Sequence, residues 1–156
     1  MSMWTMPAIR QYSPLEIFDL RTTGYSLNQA RILLESLGPQ GTDIYKGPQQ
    51  ILDIFYPAFL TTSIILAMYI LAPVHWGYRR NLLIFVPLPA MTMDYLENAL
   101  IHIMLKIGPD GITREIVELA SNSTVLKFQF YGIAALTTAL LTAHWAWRKR
   151  RNNHLT

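Results

Sequence analysis

The chain has 156 residues, of which 51% are hydrophobic and 15% are charged, with a formal net charge of +3 and no cysteine. The charges are unevenly spread, since 25 uncharged residues separate Asp53 from Arg79 and 20 separate Lys127 from Arg148. About 20 apolar residues suffice to cross a bilayer, so this composition argues against a soluble, disordered or nucleic-acid-binding protein. It indicates an all-α integral membrane protein without disulfides, thiolate metal sites or cysteine catalysis.

The N-terminal segment, residues 1–50, is expected to lie outside the membrane and contains two helix starts. A serine cap residue followed by proline, at Ser13-Pro14, predicts a helix of about two turns. A second cap residue, Ser26, is followed three residues later by Gln29, which predicts a capping box. Apolar residues at helical spacing then predict an amphipathic helix over 26–38. We expect this second helix to lie on the membrane surface or on a partner protein.

Glycine and proline mark the end of this segment. Gly38-Pro39 is expected to stop the amphipathic helix, because glycine and proline commonly follow a helix end. The pair Gly47-Pro48 predicts a loop that leads into the membrane.

Three membrane-spanning helices are predicted within a membrane domain over 51–147. The first and third, about 51–74 and 125–147, carry no charge in their apolar stretches and have aromatic residues at their ends. The second, about 82–105, contains two carboxylates and is marginal when taken alone. A short polar helix over about 111–121 is expected to lie at the membrane surface between the second and third spans.

Six basic residues flank these spans without any acid among them: Arg79, Arg80, Arg148, Lys149, Arg150 and Arg151. They share one side of the membrane only if three helices cross it. By the positive-inside rule that side is the cytoplasm or matrix, which also receives the basic C-terminal tail over 148–156. We expect the six residues to contact lipid headgroups, with anionic phospholipids as the preferred partners.

The second span holds the most distinctive polar residues. Asp94, Glu97, Asn98 and His102 share one stripe of a helix. Counting the helical rise from each predicted end places Asp94 level with hydroxyl residues of the other spans. Those hydroxyl residues are Thr61, Thr62, Thr137 and Thr138. We interpret these eight residues as a structural polar clamp that ties the helices together near the membrane midplane.

Ionisation adds an alternative to the clamp. Two carboxylates one turn apart in a low dielectric should not both ionise, so Asp94 and Glu97 are expected to share or hydrogen-bond a proton. This leaves a proton relay or an acid–base pair open beside the clamp, and a contact with a partner subunit is the third possibility.

No cofactor or metal site is predicted. His75 and His144 lie near the ends of the first and third spans, where axial ligation of a haem is imaginable. Both stand beside tryptophan, however, and are more simply residues of the interfacial aromatic belt. Glu97 and His102 are five residues apart on a helix, so they diverge and do not form a metal pair.

Several short motifs lie within residues 18–151: Phe18-Asp19-Leu20-Arg21, Gly24-Tyr25-Ser26, Asp94-Tyr95-Leu96-Glu97-Asn98 and Leu126-Lys127-Phe128. Together they resemble a family of small, mostly bacterial multi-pass membrane proteins with no known activity. The resemblance implies a multi-span topology and leaves the function open. Members of that family carry a further spanning helix before the first motif, whereas residues 1–20 show no such helix.

Three functions fit the sequence. We favour a non-catalytic accessory subunit of a larger energy-converting complex, of the respiratory-enzyme or ATP-synthase type, in a mitochondrial or bacterial inner membrane. The absence of a catalytic motif and the marginal second span, which needs neighbours, support this hypothesis. The alternatives are a free-standing binder of a lipid or hydrophobic ligand, and a proton relay or membrane enzyme that uses Asp94 and Glu97. Other membrane subunits and phospholipids are the expected partners, and nucleic acid is not.

Overall fold

The computed structural model describes residues 5–153 and the side chains of residues 7–151. Across these residues the chain is helical and has no strand. The α-helices in chain order are α1 (Thr5–Arg10), α2 (Leu27–Ile44), α3 (Gln50–Leu71), α4 (Leu88–Ile107) and α5 (Arg114–Asn153). Shorter helical segments are the 3₁₀ turn Phe18–Leu20, the π-helical turn Tyr45–Gln49 and the 3₁₀ segment Val74–Phe85. The last part of the predicted tail, 154–156, lies outside the described residues.

Helix α2 begins with the capping box that the sequence predicted. The Ser26 hydroxyl accepts a hydrogen bond from the Gln29 amide, and the Gln29 side chain accepts one from the Ser26 amide, so this prediction is confirmed. The helix is kinked at Gly38, whose φ of 59° lies in the left-handed region. Beyond the kink the chain stays helical, because Pro39 is tolerated in the first turn of a new helical stretch. The predicted loop at Gly47-Pro48 is therefore wrong, since a π-helical turn occupies it.

Other helix bounds also differ from the predicted ones. The chain over residues 14–17 is not helical, and only Phe18–Leu20 forms a turn of 3₁₀ helix. The helix of the first predicted span ends at Leu71, two residues before Pro73. The helix of the second begins at Leu88 instead of residue 82.

The surface helix predicted over 111–121 does not exist as a separate element. Helix α5 runs for 40 residues, about 60 Å, and includes both that segment and the third predicted span. No glycine or proline interrupts residues 114–131, so nothing in the sequence breaks the helix there.

Two helical stretches in the described chain are long and apolar enough to cross a membrane, Leu27–Leu71 and Arg114–Arg151. Only 17% and 22% of the residues in their most apolar windows are buried inside the chain. Helix α4 does not have this composition, because it carries Asp94 and Glu97 in its middle.

Helix α4 runs antiparallel to both long helices. On the α3 side, the Tyr95 hydroxyl donates to the Ile54 carbonyl at 2.9 Å, and His102 pairs with Gln50, so residue numbers rise along α4 as they fall along α3. On the α5 side, Thr124 and Lys127 contact Glu97, and Tyr131 contacts Asp94, which lies one turn earlier in α4. Residue numbers therefore rise along α5 as they fall along α4. Helices α3 and α5 therefore point in the same direction. They pack together through Met68, Ala72, Ala134 and Leu141.

The N-terminal segment packs against the ends of α4 and α5 and forms the larger apolar core. The Tyr25 amide donates to the Ser121 hydroxyl at 2.8 Å and fixes this segment to α5. Gly24 precedes this bond with φ at 83°, and a Cβ atom there would lie 2.7 Å from the Ser121 oxygen. Glycine is thus required for the close approach.

We expect Gly24→Ala to destabilise the protein, because alanine disfavours positive φ and its methyl group clashes with Ser121. The loss should be about 1–3 kcal/mol, seen as a melting temperature lower by roughly 5 °C in detergent. Gly132→Ala is the control, since a Cβ there meets nothing within 4 Å. Equal melting temperatures for the two variants would contradict the close approach.

Candidate functional site

A buried lysine of α5, Lys127, stands at the centre of the polar contacts between the helices. Its ammonium group forms an ion pair with the Glu97 carboxylate and lies 3.7 Å from Asp94 Oδ1. It also donates to the backbone carbonyl of Asp19 at 3.5 Å. The side chain of Lys127 is only 8% exposed, so these three groups replace the water that would otherwise solvate it.

Both carboxylates of α4 have further partners. The Thr124 hydroxyl donates to Glu97 Oε1 at 2.5 Å, and Glu97 is fully buried. Asp94 accepts from the Tyr131 hydroxyl and from Asn98 Nδ2, each at 3.4 Å. The sequence predicted a proton shared between Asp94 and Glu97, and the structure gives the two carboxylates a common cation.

Two more buried carboxylates lie next to this group. The Tyr45 hydroxyl donates to the Asp19 carboxylate. Asp53, on α3, accepts from Gln49 Nε2 at 2.9 and 3.2 Å. Asn98 Nδ2 also donates to the Asp53 carbonyl at 3.1 Å and so joins α4 to α3.

Two buried tyrosines of the N-terminal segment, Tyr25 and Tyr45, stay protonated beside these acids. Burial raises the pKa of Tyr45 well above its usual value, and the neighbouring charge of Asp19 raises it further. Burial likewise raises the pKa of Tyr25, with an added contribution from Glu97. Tyr45 therefore acts as a hydrogen-bond donor at neutral pH.

We call Asp19, Asp53, Asp94, Glu97 and Lys127 the ion cluster. All five are buried, and they are the buried charged residues of the described chain. The ion cluster thus holds four carboxylates and a single ammonium group, which contacts the carboxylates of Asp94 and Glu97. This imbalance distinguishes the ion cluster from a matched pair, because unpaired carboxylates are costly to bury.

A cavity of about 500 Å³ adjoins the ion cluster. Its polar lining is Asp19, Asp53, Asp94 and Lys127, and its other walls are Leu20, Tyr56, Pro57, Leu60, Phe128 and Tyr131. Leu20 and Tyr56 are exposed, so the cavity reaches the molecular surface beside them.

The predicted threonines do not gather around the carboxylates. Thr62 is exposed, and Thr137 and Thr138 donate at 2.8 Å to carbonyls of their own helix. Thr61 is buried and lies beside Tyr131. His102 is exposed and hydrogen-bonds Gln50 at the edge of the group. Of the eight predicted residues, the structure brings Asp94, Glu97 and Asn98 together.

The predicted register was wrong for a physical reason. Counting the rise from predicted span ends assumed that every helix starts at the membrane surface. Helix α5 instead begins at Arg114, eleven residues before the predicted span at 125, and the α3 stretch is helical from Pro39 onward. The residues level with Asp94 are consequently Tyr131 and the first turns of α3.

The cation of the ion cluster was not predicted from the sequence. Lys127 was treated as the boundary of an uncharged stretch, although Thr124, Lys127 and Tyr131 recur at helical spacing on one face of α5. That polar stripe is the signal that could have matched the stripe of Asp94 and Glu97.

The predicted headgroup residues differ in their surroundings. Arg80 donates from Nε to the Tyr69 carbonyl at 2.7 Å and its guanidinium lies over the Tyr69 ring. Arg148, Lys149 and Arg151 line a second cavity together with His75 and Trp145. Arg79 and Arg150 do not line that cavity.

The two histidines considered for haem lie in different surroundings. His75 lines the second cavity, whereas the His144 ring lies 6.0 Å from the ring of Trp147 and does not line it. Within residues 5–153, no group of three or more His, Cys, Asp or Glu side chains could hold a metal ion.

No protein-family model, curated protein or solved structure matches this chain. The resemblance to a family of small multi-pass proteins stays a prediction. Over the described residues, the fold and site define an all-helical protein with two helices apolar enough to cross a membrane, and with a buried ion cluster formed by the 3₁₀ turn Phe18–Leu20 together with α3, α4 and α5.

We expect Lys127→Met to be strongly destabilising, because it leaves Glu97 and Asp94 buried without their cation. The free energy of unfolding should fall by about 3–5 kcal/mol. Adding Glu97→Gln and Asp94→Asn to this variant should restore part of the loss, since neutral amides need no counterion. Detergent-resistance or thermal unfolding measures both effects.

Lys106→Met is the matched control, since Lys106 is exposed near the end of α4. A Lys127→Met variant as stable as Lys106→Met would contradict the role of Lys127 as the common cation.

Proposed function

We propose that this chain is an integral membrane protein in which α3, α4 and α5 each cross the bilayer, and that it binds an amphiphilic ligand in the cavity beside the ion cluster. The single observation that carries the proposal is a cavity whose apolar walls end on buried carboxylates.

Three crossings are supported by the course of α4. Its 20 residues extend about 30 Å, the thickness of the hydrocarbon core, and it runs antiparallel to two helices that are apolar enough to cross. The carboxylates of α4 face the ion cluster instead of lipid, which removes the main cost of inserting it. His75 and Arg148 line one cavity, so both basic segments lie at the same end of the helices.

Single-cysteine labelling tests this topology, because the chain has no native cysteine. We expect Asn28→Cys to be labelled from one side of the membrane, and Tyr78→Cys and Arg150→Cys from the other. All three residues are exposed, so they are open to the reagent. Labelling of residues 28 and 150 from the same side would contradict three crossings.

The cavity suits a ligand with a polar head and an apolar tail. Apolar and aromatic side chains such as Leu60 and Phe128 provide the walls, and a few polar groups converge at one end. This combination is typical of small-molecule sites, and 500 Å³ lies within their usual size.

The charge of the lining determines which head fits. Three carboxylates line the cavity against one lysine, and Lys127 is already paired with Glu97. The lining therefore offers acceptors, and a head that donates hydrogen bonds, an amine or a hydroxyl group, complements it. A carboxylate head offers only acceptors and does not complement this lining.

Binding of twelve-carbon probes tests the function. In mild detergent, we expect dodecylamine and dodecanol to bind more tightly than dodecanoic acid, as measured by native mass spectrometry. Leu60→Trp should weaken amine binding by about tenfold, because the indole fills the cavity.

Leu66→Trp is the matched control, since Leu66 lies on the same helix, is exposed and does not line the cavity. Failure of every probe to bind, or equal binding by the two tryptophan variants, would contradict the ligand site. The ion cluster would then be a clamp alone.

The clamp and the accessory-subunit hypothesis make separate predictions. Replacing Asp94 and Glu97 by Asn and Gln removes the counter-charges of Lys127 but keeps hydrogen-bond acceptors beside it, so assembly should fall less than with Leu at both residues, which removes these acceptors as well. An accessory subunit should co-elute with other membrane subunits in mild detergent, and a free-standing binder should elute alone. The energy-converting inner membrane stays a prediction from the sequence.

A further inference from the structure

A second cavity, of about 440 Å³, lies at the opposite end of α5 from its first residue. It is formed by the 3₁₀ segment Val74–Phe85 and the last turns of α5. Its lining is His75, Trp145, Arg148, Lys149 and Arg151. None of these residues belongs to the ion cluster or lines the cavity beside it.

The charged side chains described at this end are all positive. The sequence has no Asp or Glu between Asp53 and Asp94, and none after Glu118. None of the ion pairs found in the described chain involves Arg148, Lys149 or Arg151. Three cations therefore line one cavity without a carboxylate to neutralise them.

One of these cations has an unused donor. Arg148 Nε is buried and has no hydrogen-bond partner among the described residues. Leaving such a group unpaired is costly, so an acceptor is expected to complete it. Lys149 and Arg151 are held differently, with their charged groups 5.2 and 5.1 Å from the ring centres of Trp145 and Trp147.

We propose that this cavity binds the phosphate group of an anionic phospholipid headgroup. A phosphate offers only acceptors, and the planar donors of arginine match its oxygens. Lipid is the source we assign, because the cavity lies at the end of α3 and α5, whose exposed surfaces are apolar. Ile70 is 72% exposed on α3, and Leu140 is 63% exposed on α5.

The three cations that line the cavity differ in their surroundings from the other basic residues at this end. Arg80 is occupied by the carbonyl and ring of Tyr69, and Arg150 does not line the cavity. A general attraction to anionic membranes would involve all six basic residues alike. Binding at a specific site in this cavity depends on Arg148, Lys149 and Arg151.

Lipid titration of the delipidated protein in a neutral detergent tests the proposal. Dioleoyl phosphatidylglycerol should bind at least about tenfold more tightly than dioleoyl phosphatidylcholine, as followed by tryptophan fluorescence and by native mass spectrometry. Arg148→Gln should weaken phosphatidylglycerol binding by about tenfold, because it removes a charged donor. Excess inorganic phosphate should not displace the lipid.

Arg150→Gln is the matched control, with the same change of charge two residues away and outside the lining. It should keep its affinity within about twofold. Melting temperatures of the two variants show that both are folded, and Lys149→Gln provides a second change within the lining. Equal losses in Arg148→Gln and Arg150→Gln, no preference for phosphatidylglycerol, or displacement by inorganic phosphate would each overturn the proposal. The outcome is independent of ligand binding at the ion cluster.

Discussion

The burial of Lys127 is the constraint on which the other contacts depend. An ammonium group removed from water costs several kcal/mol unless charges and acceptors replace its hydration. Glu97 and Asp94 supply the charges from α4, and the Asp19 carbonyl supplies an acceptor from the N-terminal segment. One lysine on α5 therefore determines how α4 lies against it and where the N-terminal segment must pack.

The same constraint explains how a polar helix can stand between two apolar ones. Helix α4 alone is a poor membrane helix, because two carboxylates lie in its middle. Between α3 and α5 these carboxylates contact Lys127, Thr124 and Tyr131. The two carboxylates that disfavour membrane insertion of α4 thus form the contacts that hold this helix against α5.

Local sequence signals predicted part of this structure well. The capping box at Ser26 and the shared stripe of Asp94, Glu97 and Asn98 were read from residue spacing, and both depend only on helical geometry. The partners of the stripe were not predictable in the same way. Lys127 and Tyr131 are distant in sequence, and their register against α4 depends on how far each helix extends beyond the apolar stretch.

The ends of the helices were predicted least well, because the extent of a helix is not determined by local residue spacing alone. Glycine and proline marked Gly38 correctly as a break, since its φ is positive, but they predicted a loop at Gly47-Pro48 where a π-helical turn continues the chain. Proline needs no amide partner near a helix start, so its presence alone does not end a helix.

The composition of the ion cluster bears on its function. A clamp between two helices needs only a matched pair, and Lys127 with Glu97 already provides one. Buried ion pairs add little stability compared with apolar side chains of similar size, so further buried carboxylates are not explained by stability. Asp19, Asp53 and Asp94 all line the same cavity. A binding site is expected to have carboxylates that lower stability and converge on a cavity with apolar walls. For this reason we favour a ligand site over a clamp alone.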